Sequence, residues 1–343
     1  MLYQVRHLTR YHYTAAVAES FTEVRMHPLT TPYQQVGGYR LHVKPAAHIY
    51  EYQDSLGNLV HHFSQPAAHN SLHITAASEV QVHPHPLPPE SLPQETWTQI
   101  DAVTATGEFW DMLTPSPFTN RTEHLDELAA ELDVTRRRDP LSLLYELNSG
   151  LNRAFAYDAA STNVDSPIDE ALKHRRGVCQ DLTHIMLALV RNYLHIPCRY
   201  VSGYLYHRRD DRSADGATHA WLQAWLPELG WIGFDPTNNL LQGERHIEVA
   251  IGREYSDVPP TRGVYKGNAG SDLAVTVRIR SEREALPDGL DSADSGADSG
   301  ADSGDADLGD TPIYRSTEQA LQERYAQALL AIEMQQQQQQ QQQ

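Results

Sequence analysis

The chain has little cysteine, with only Cys179 and Cys198 among 343 residues. Two thiols make no disulfide framework. Most of a helix separates them, about 20 Å at ~1.5 Å per residue, so they are not expected to pair. Long apolar runs are missing as well: nothing approaches the ~20 residues of a membrane span. The N-terminus, with Arg6, His7, Arg10 and His12, has no signal-peptide apolar region. The expectation is a cytoplasmic location and no membrane partner. A basic stripe is absent too. The formal net charge is −18, which argues against nucleic acid as the main ligand. Ten acidic residues against one basic, Arg283, lie between Glu282 and Asp310, so this segment carries half of the excess. The remaining body is only mildly acidic. Metal signatures are also wanting. Eleven of the eighteen histidines precede residue 86, but no HExxH or Cys/His cluster accompanies them. His61 and His62 are adjacent on a strand and point to opposite faces. These histidines are expected to be scattered over the surface, with no metal and no cofactor.

What is present centres on Arg176-Gly177-Val178-Cys179-Gln180-Asp181, which opens a run with Leu182, Ile185, Met186, Leu189, Val190 and Leu194 at helical spacing. The run reads as an amphipathic core helix with a cysteine in its first turn. Unpaired N–H groups and the partial positive charge at a helix N-terminus favour a thiolate and can stabilise an oxyanion. An unpaired cysteine is more commonly one small buried hydrophobe, so this stretch alone leaves the two readings level. Thr218-His219-Ala220-Trp221 and Gly230-Trp231-Ile232-Gly233-Phe234-Asp235 then read as two strands of a hairpin. A helix cysteine, a strand histidine and an aspartate ending the next strand are the parts of a thiol acyl-transfer site. The thiolate attacks, the imidazole moves the proton, and the carboxylate holds the imidazole in one tautomer.

At these residues, and at Ile196-Pro197-Cys198-Arg199-Tyr200-Val201-Ser202-Gly203-Tyr204 and Asp235-Pro236-Thr237, the chain resembles the transglutaminase-like superfamily of papain-like thiol enzymes. It is similar in particular to bacterial members with an added N-terminal β domain. Tyr3 to Pro28 resembles that domain, and Tyr255 to Pro260 with Gly263 resembles the closing segment. The resemblance covers about residues 1 to 280 and implies the triad Cys179, His219 and Asp235.

The fold class expected is α+β. An N-terminal antiparallel β-sandwich-like domain (1–83) and a proline-rich connector (84–94) precede a papain/transglutaminase-like core (95–280). In that core the nucleophile sits at a helix N-terminus packed on an antiparallel sheet. Asp54-Ser55-Leu56-Gly57-Asn58 marks a hairpin, and Thr122 to Leu132 and Pro140 to Tyr157 read as helices. Beyond the core come an acidic, disordered linker (281–312) with tandem Ala-Asp-Ser-Gly repeats and a helical tail (313–343) striped with Leu321, Tyr325, Leu329 and Ile332 and ending in polyglutamine. The aspartates of the repeats recur at every fourth position, unlike the alternate positions of a calcium loop. The tail is expected to be a loosely ordered end, with a protein partner for its helix as the alternative.

Cys198 reads as structural, and the polar loop 207–217 as a neighbour of the site that can set substrate choice. Trp221 and Tyr204 are guessed to line a substrate groove, although core packing is the stronger reading for Trp221. Asp181 is expected to pair structurally. His184 lies about 140° round the helix from Cys179 and is a poor base. The expected activity is cleavage of peptide or isopeptide amides through a Cys179 thioester. Transamidation to an amine is one alternative, and a non-catalytic peptide-binding or assembly protein is another.

Overall fold

The computed structural model describes residues 1–159 and 161–282 and the backbone of Tyr314–Arg315. The first part is all strand: β1 (Leu2–Val17), β2 (Glu19–Val24), β3 (Gln34–Lys44), β4 (Tyr50–Gln53), β5 (Leu59–Gln65) and β6 (His69–Val82). Strand alternation decides what each face carries. In β1, Tyr3, Val5, His7 and Thr9 point inward while Gln4, Arg6 and Arg10 stay exposed. The β4–β5 turn is closed by Asp54, whose Oδ1 accepts from the N–H groups of Leu56 (3.0 Å) and Asn58 (2.9 Å).

Helices follow the prolines: α1 (Thr96–Thr104), α2 (Trp110–Leu113), α3 (Glu123–Glu131) and α4 (Pro140–Ala154). Asp139 caps α4 by accepting from Ser142 N–H at 3.0 Å, with Pro140 in the first turn, where its missing N–H has no bond to lose. After β7 (Ala156–Tyr157), α5 (Ile168–His174) and β8 (Arg176–Gly177) comes α6 (Cys179–Leu189). The expected helix to Leu194 ends its α-helical part earlier, because Val190–Leu194 is a π-helical turn. That turn carries Arg191 into the interior, where it donates to the carbonyls of Met112, Cys198 and Arg253.

The strands β9 (Cys198–Leu205), β10 (His219–Leu226), β11 (Gly230–Asp235), β12 (Leu240–Leu241) and β13 (His246–Gly252) form one antiparallel sheet in the order β12-β11-β10-β9-β13. Helix α6 lies in the main apolar core, with Ile185, Met186, Leu189, Leu222, Ala224 and Phe234 buried together. The mixture of sheets and helices is α+β, as expected.

The chain does not stay in the core to residue 280. β14 (Thr261–Lys266) pairs with β2, and β15 (Ser271–Ser281) pairs with β1 from Tyr3↔Ser281 to Tyr13↔Ser271. The domain boundary drawn from sequence therefore misplaces residues 261–281, which complete the N-terminal sheets. Alternation reveals a strand but not its partner, and this partner is about 270 residues away. β16 (Tyr314–Arg315) pairs with β3 at the opposite edge, so the larger sheet runs β15-β1-β6-β3-β16. The rest of the expected acidic linker, the tail helix and the polyglutamine lie outside the described residues.

Side chains clamp the N-terminal strands onto the core sheet. Gln34 donates to Glu248 O (2.8 Å) and accepts from Glu248 N–H (2.8 Å), and Asn58 does the same with Ile251 (2.8 Å each). Two side-chain amides thus satisfy the backbone of β13 as a neighbouring strand would. No helix among the described residues is long and apolar enough to cross a membrane.

Candidate active site

Cys179 is the first residue of α6 and is partly exposed, whereas most of the helix behind it is buried. Its placement is local in origin. β8 pairs in parallel with β7, and the chain then turns at Val178, whose N–H donates to Asp181 Oδ2 at 2.8 Å. Thr162 Oγ1 donates to the same oxygen at 2.6 Å. Gly177 is needed for this cap, since a Cβ there would stand 2.8 Å from the Asp181 Cβ. Asp181 is therefore structural, and burial raises its pKa. The backbone N–H groups of the first turn have no intrahelical acceptor. The Gln180 amide is already committed to Val164 O at 2.8 Å.

His219 opens β10 and is 2% exposed. It faces Gly203 across the β9–β10 ladder. A Cβ on Gly203 would come within 2.2 Å of Ile247 O and 2.6 Å of the Trp221 ring, so glycine leaves the space that seats Trp221 beneath the histidine. Asp235 ends β11 wholly buried. Its Oδ1 accepts from the N–H groups of Thr237 (3.0 Å) and Asn238 (3.2 Å), a turn closed on its own side chain. Its Oδ2 accepts from His219 Nε2 at 2.8 Å and from Asn238 Nδ2 at 2.8 Å. His246, at the start of β13, sends Nε2 towards the same oxygen at 3.4 Å.

These contacts assign the tautomers. His246 Nδ1 accepts from Gly243 N–H at 3.3 Å, so its proton sits on Nε2 and points at Asp235. His219 spends its Nε2 proton on Asp235 and leaves Nδ1 without a hydrogen-bond partner among the described residues. The Cys179 thiol is the neighbour that acts on this imidazole. Burial opposes charge on His219, but the Asp235 carboxylate and then Cys179 outweigh it, so its pKa is pushed up to about 10. Asp235 shows the converse. Burial raises it, yet His219 and His246 hold it well below the usual carboxylate range. The three groups favour a charged imidazolium beside a buried carboxylate, with the thiol on the open side.

His219, Asp235 and His246 are also grouped closely enough to ligate a metal, with their ligand atoms within 4.8 Å of one another. Both Nε2 atoms already carry protons donated to one carboxylate oxygen, so this donor set does not present free lone pairs to an ion.

The structure thus brings Cys179, His219 and Asp235 together and separates the other two residues chosen from sequence. Trp221 is wholly buried, donating Nε1–H to Gln242 Oε1 at 2.9 Å and packing 6.0 Å from the His219 ring. It lies on the face of β10 expected for it, but below the histidine instead of along a groove. Tyr204 is 2% exposed and hydrogen-bonds to His7 Nδ1 at 3.0 Å where the N-terminal sheet meets the core sheet. Neither ring is available to a substrate. Cys198 is wholly buried, and burial pushes its thiol up to about 11. His184 stacks between Phe118 and Tyr200 and accepts from Tyr255 N–H at 3.2 Å, away from proton chemistry.

The N-terminal histidines need a correction. His7, His27, His61 and His69 are buried, not on the surface, and pack against tyrosine rings or each other. A neutral imidazole is a modestly polar aromatic and fits such an interior once hydrogen-bonded. His246 and Asn238 were missed. The Asp-Pro-Thr-Asn turn offered a signal for Asn238, while His246 reaches Asp235 only through sheet order.

Residues 3–81 match the family model for the bacterial transglutaminase-like N-terminal region, and residues 127–236 match that of the transglutaminase-like superfamily. An uncharacterized protein of Mycobacterium leprae is 34% identical over 279 residues, spanning 80% of this chain and 97% of that protein. A protein-glutamine gamma-glutamyltransferase of Pseudomonas aeruginosa is 30% identical over 131 residues, 33% of this chain and 18% of that one. A crystal structure of a candidate cysteine protease from Cytophaga hutchinsonii superposes with a TM-score of 0.64 at 21% identity, covering 82% of this chain and 91% of that chain, a likeness of fold. With two family models in chain order and a relative matched over nearly its whole length, the chain belongs to the transglutaminase-like superfamily and carries the bacterial N-terminal region.

Proposed function

We propose that the protein is a thiol acyl-transfer enzyme in which Cys179 is the nucleophile, His219 the general acid and base, and Asp235 the group that orients and charges the imidazole. The observation that carries this reading is the buried 2.8 Å His219–Asp235 pair, on whose imidazole the Cys179 thiol at a helix N-terminus also acts. In the first half-reaction the Sγ–C bond forms and the C–N bond of an amide breaks, while His219 gives its proton to the departing nitrogen. The N–H groups of the first turn of α6 stand where an oxyanion develops. In the second half-reaction water adds to the thioester carbonyl as His219 takes its proton, the Sγ–C bond breaks to return the Cys179 thiolate, and the acid leaves.

Hydrolysis of peptide or isopeptide amides is favoured, because water needs no binding site and no amine site is evident among the described residues. Transamidation uses the same thioester, and the likeness to the Pseudomonas gamma-glutamyltransferase over one third of the chain speaks for it. The loop 207–217 is anchored on the turn that holds Asp235: Asn238 Oδ1 accepts from the N–H groups of Arg212 (2.8 Å) and Ser213 (3.1 Å). We read this anchoring as fitting the loop to shape the substrate side. The test incubates the full chain with a library of glutamine- and lysine-linked peptides, with and without a labelled primary amine. Released ammonia reports the shared thioester step, new carboxylates support hydrolysis, amine incorporation supports transamidation, and no product in any member favours the non-catalytic binding reading.

A further inference from the structure

The outer face of the larger N-terminal sheet is basic, although the chain as a whole is acidic. Arg278 lies opposite Arg6 across the β15–β1 ladder, Arg6 opposite Ala77, and Ala77 opposite Arg40, so three arginines and one small residue form a row across the sheet. Arg280 stands in the next row, and all four guanidiniums are on exposed positions. Together they line a concavity of about 530 Å³, in which Glu79 is the one acidic lining residue. None of the four has an ion-pair partner among the described residues. Like charges set directly across a ladder destabilise the sheet unless something neutralises them.

We propose that this face is the docking surface for the chain's own acidic segment, residues 282–313. Two observations single out that occupant. The first is connectivity. The chain leaves the sheet at Ser281, at the edge formed by β15, and rejoins it at Tyr314, at the opposite edge beside β3. Four strand spacings of ~4.8 Å separate those edges, roughly 19 Å. Thirty-two residues of Gly- and Ser-rich composition can span about 30 Å, which is long enough to reach from one edge to the other, and the described positions at either end, Ser281 and Tyr314, lie beside the arginines. The second is charge. Residues 282–310 carry ten carboxylates against Arg283 alone, and the six from Asp291 to Asp307 are separated only by Ala, Ser and Gly, so no bulky side chain keeps those six from the row. Tethering at both ends also gives the segment a millimolar effective concentration at the face.

Zero-length carbodiimide coupling of carboxylates to amines tests this, because the chain has only three lysines: Lys44 on the same sheet face, and Lys173 and Lys266 elsewhere. Arg40→Lys and Arg278→Lys keep the charge and add reporters within the row. In the full chain, cross-links from residues 288–310 are expected at positions 40 and 278 and at Lys44, at least about tenfold above Lys173 and Lys266. They should disappear in about 0.5 M salt, where the Debye length falls to roughly 4 Å, and in a background of Arg6→Gln with Arg280→Gln. Mixing ¹⁵N-labelled with unlabelled chains separates cis from trans. Cross-links spread evenly over all lysines, unaffected by salt or by the Gln substitutions, or found only between labelled and unlabelled chains, would overturn the proposal.

Discussion

Asp235→Asn removes the charge on which the candidate site rests while keeping its shape. The amide oxygen can still accept from the Thr237 and Asn238 N–H groups that hold Oδ1 at 3.0 and 3.2 Å. What goes is the carboxylate that, with Cys179, lifts His219 to about 10 against the burial that would lower it. Without it, burial works against the charge with only Cys179 left to oppose it, which costs the imidazolium on the order of 5 kcal/mol. If relaxation and entering water recover half, about 2.5 kcal/mol remains, roughly a 70-fold smaller population of the thiolate–imidazolium pair. The assay is the rate of Cys179 alkylation by iodoacetamide at pH 6, read by peptide mass spectrometry, with circular dichroism to verify the fold. A folded Asn variant alkylated within about threefold of wild type, under ~0.7 kcal/mol, would refute the coupling of thiol, imidazole and carboxylate.

His246→Phe removes the second histidine directed at Asp235 Oδ2. A hydrogen bond to a charged group is worth ~1.5–3 kcal/mol, so turnover on whichever amide proves to be a substrate should fall about tenfold or more, with the pH–rate profile displaced, whereas a merely structural loss would leave the profile in place. His7 is buried, which lowers its pKa to about 4. The unfolded chain then binds the extra proton between about pH 6.5 and 4, so stability drops as the solution is acidified through that window. Urea melts at pH 7 and pH 5 should show His7→Gln losing about 2 kcal/mol less than wild type over that step. Gly203→Ala drives a methyl to within 2.2 Å of Ile247 O and should cost about 3 kcal/mol, seen as a lower melting temperature. Cys198, wholly buried with its thiol pushed up to about 11, should resist iodoacetamide in the native state at every pH from 5 to 8 and react only on unfolding.

The candidate triad was legible because each member is announced locally. Cys179 stands where a glycine-led turn starts an apolar helix, and His219 and Asp235 sit at corresponding ends of a hairpin whose turn is written in the sequence. The Asp54–Asn58 hairpin and the helix beginning at Pro140 were readable for the same reason. What failed depended on distant partners. Trp221 and Tyr204 were placed on plausible faces, but burial is decided by what packs there, namely Gln242 in one case and His7 of the N-terminal sheet in the other. His246 is invisible as a site residue until β13 is known to pair with β9. The return of residues 261–281 to the first sheets is likewise a pairing across most of the chain, on which strand alternation is silent.

The most direct test of the central claim is to look for the acyl group itself. The full chain is mixed with an activated peptide thioester, quenched in acid within milliseconds to seconds, and analysed by intact and peptide-level mass spectrometry. The account predicts a stoichiometric acyl adduct on Cys179, absent from Cys179→Ala and formed far more slowly in His219→Ala. An adduct that forms equally fast in His219→Ala, or no adduct at Cys179 at any quench time, would contradict it.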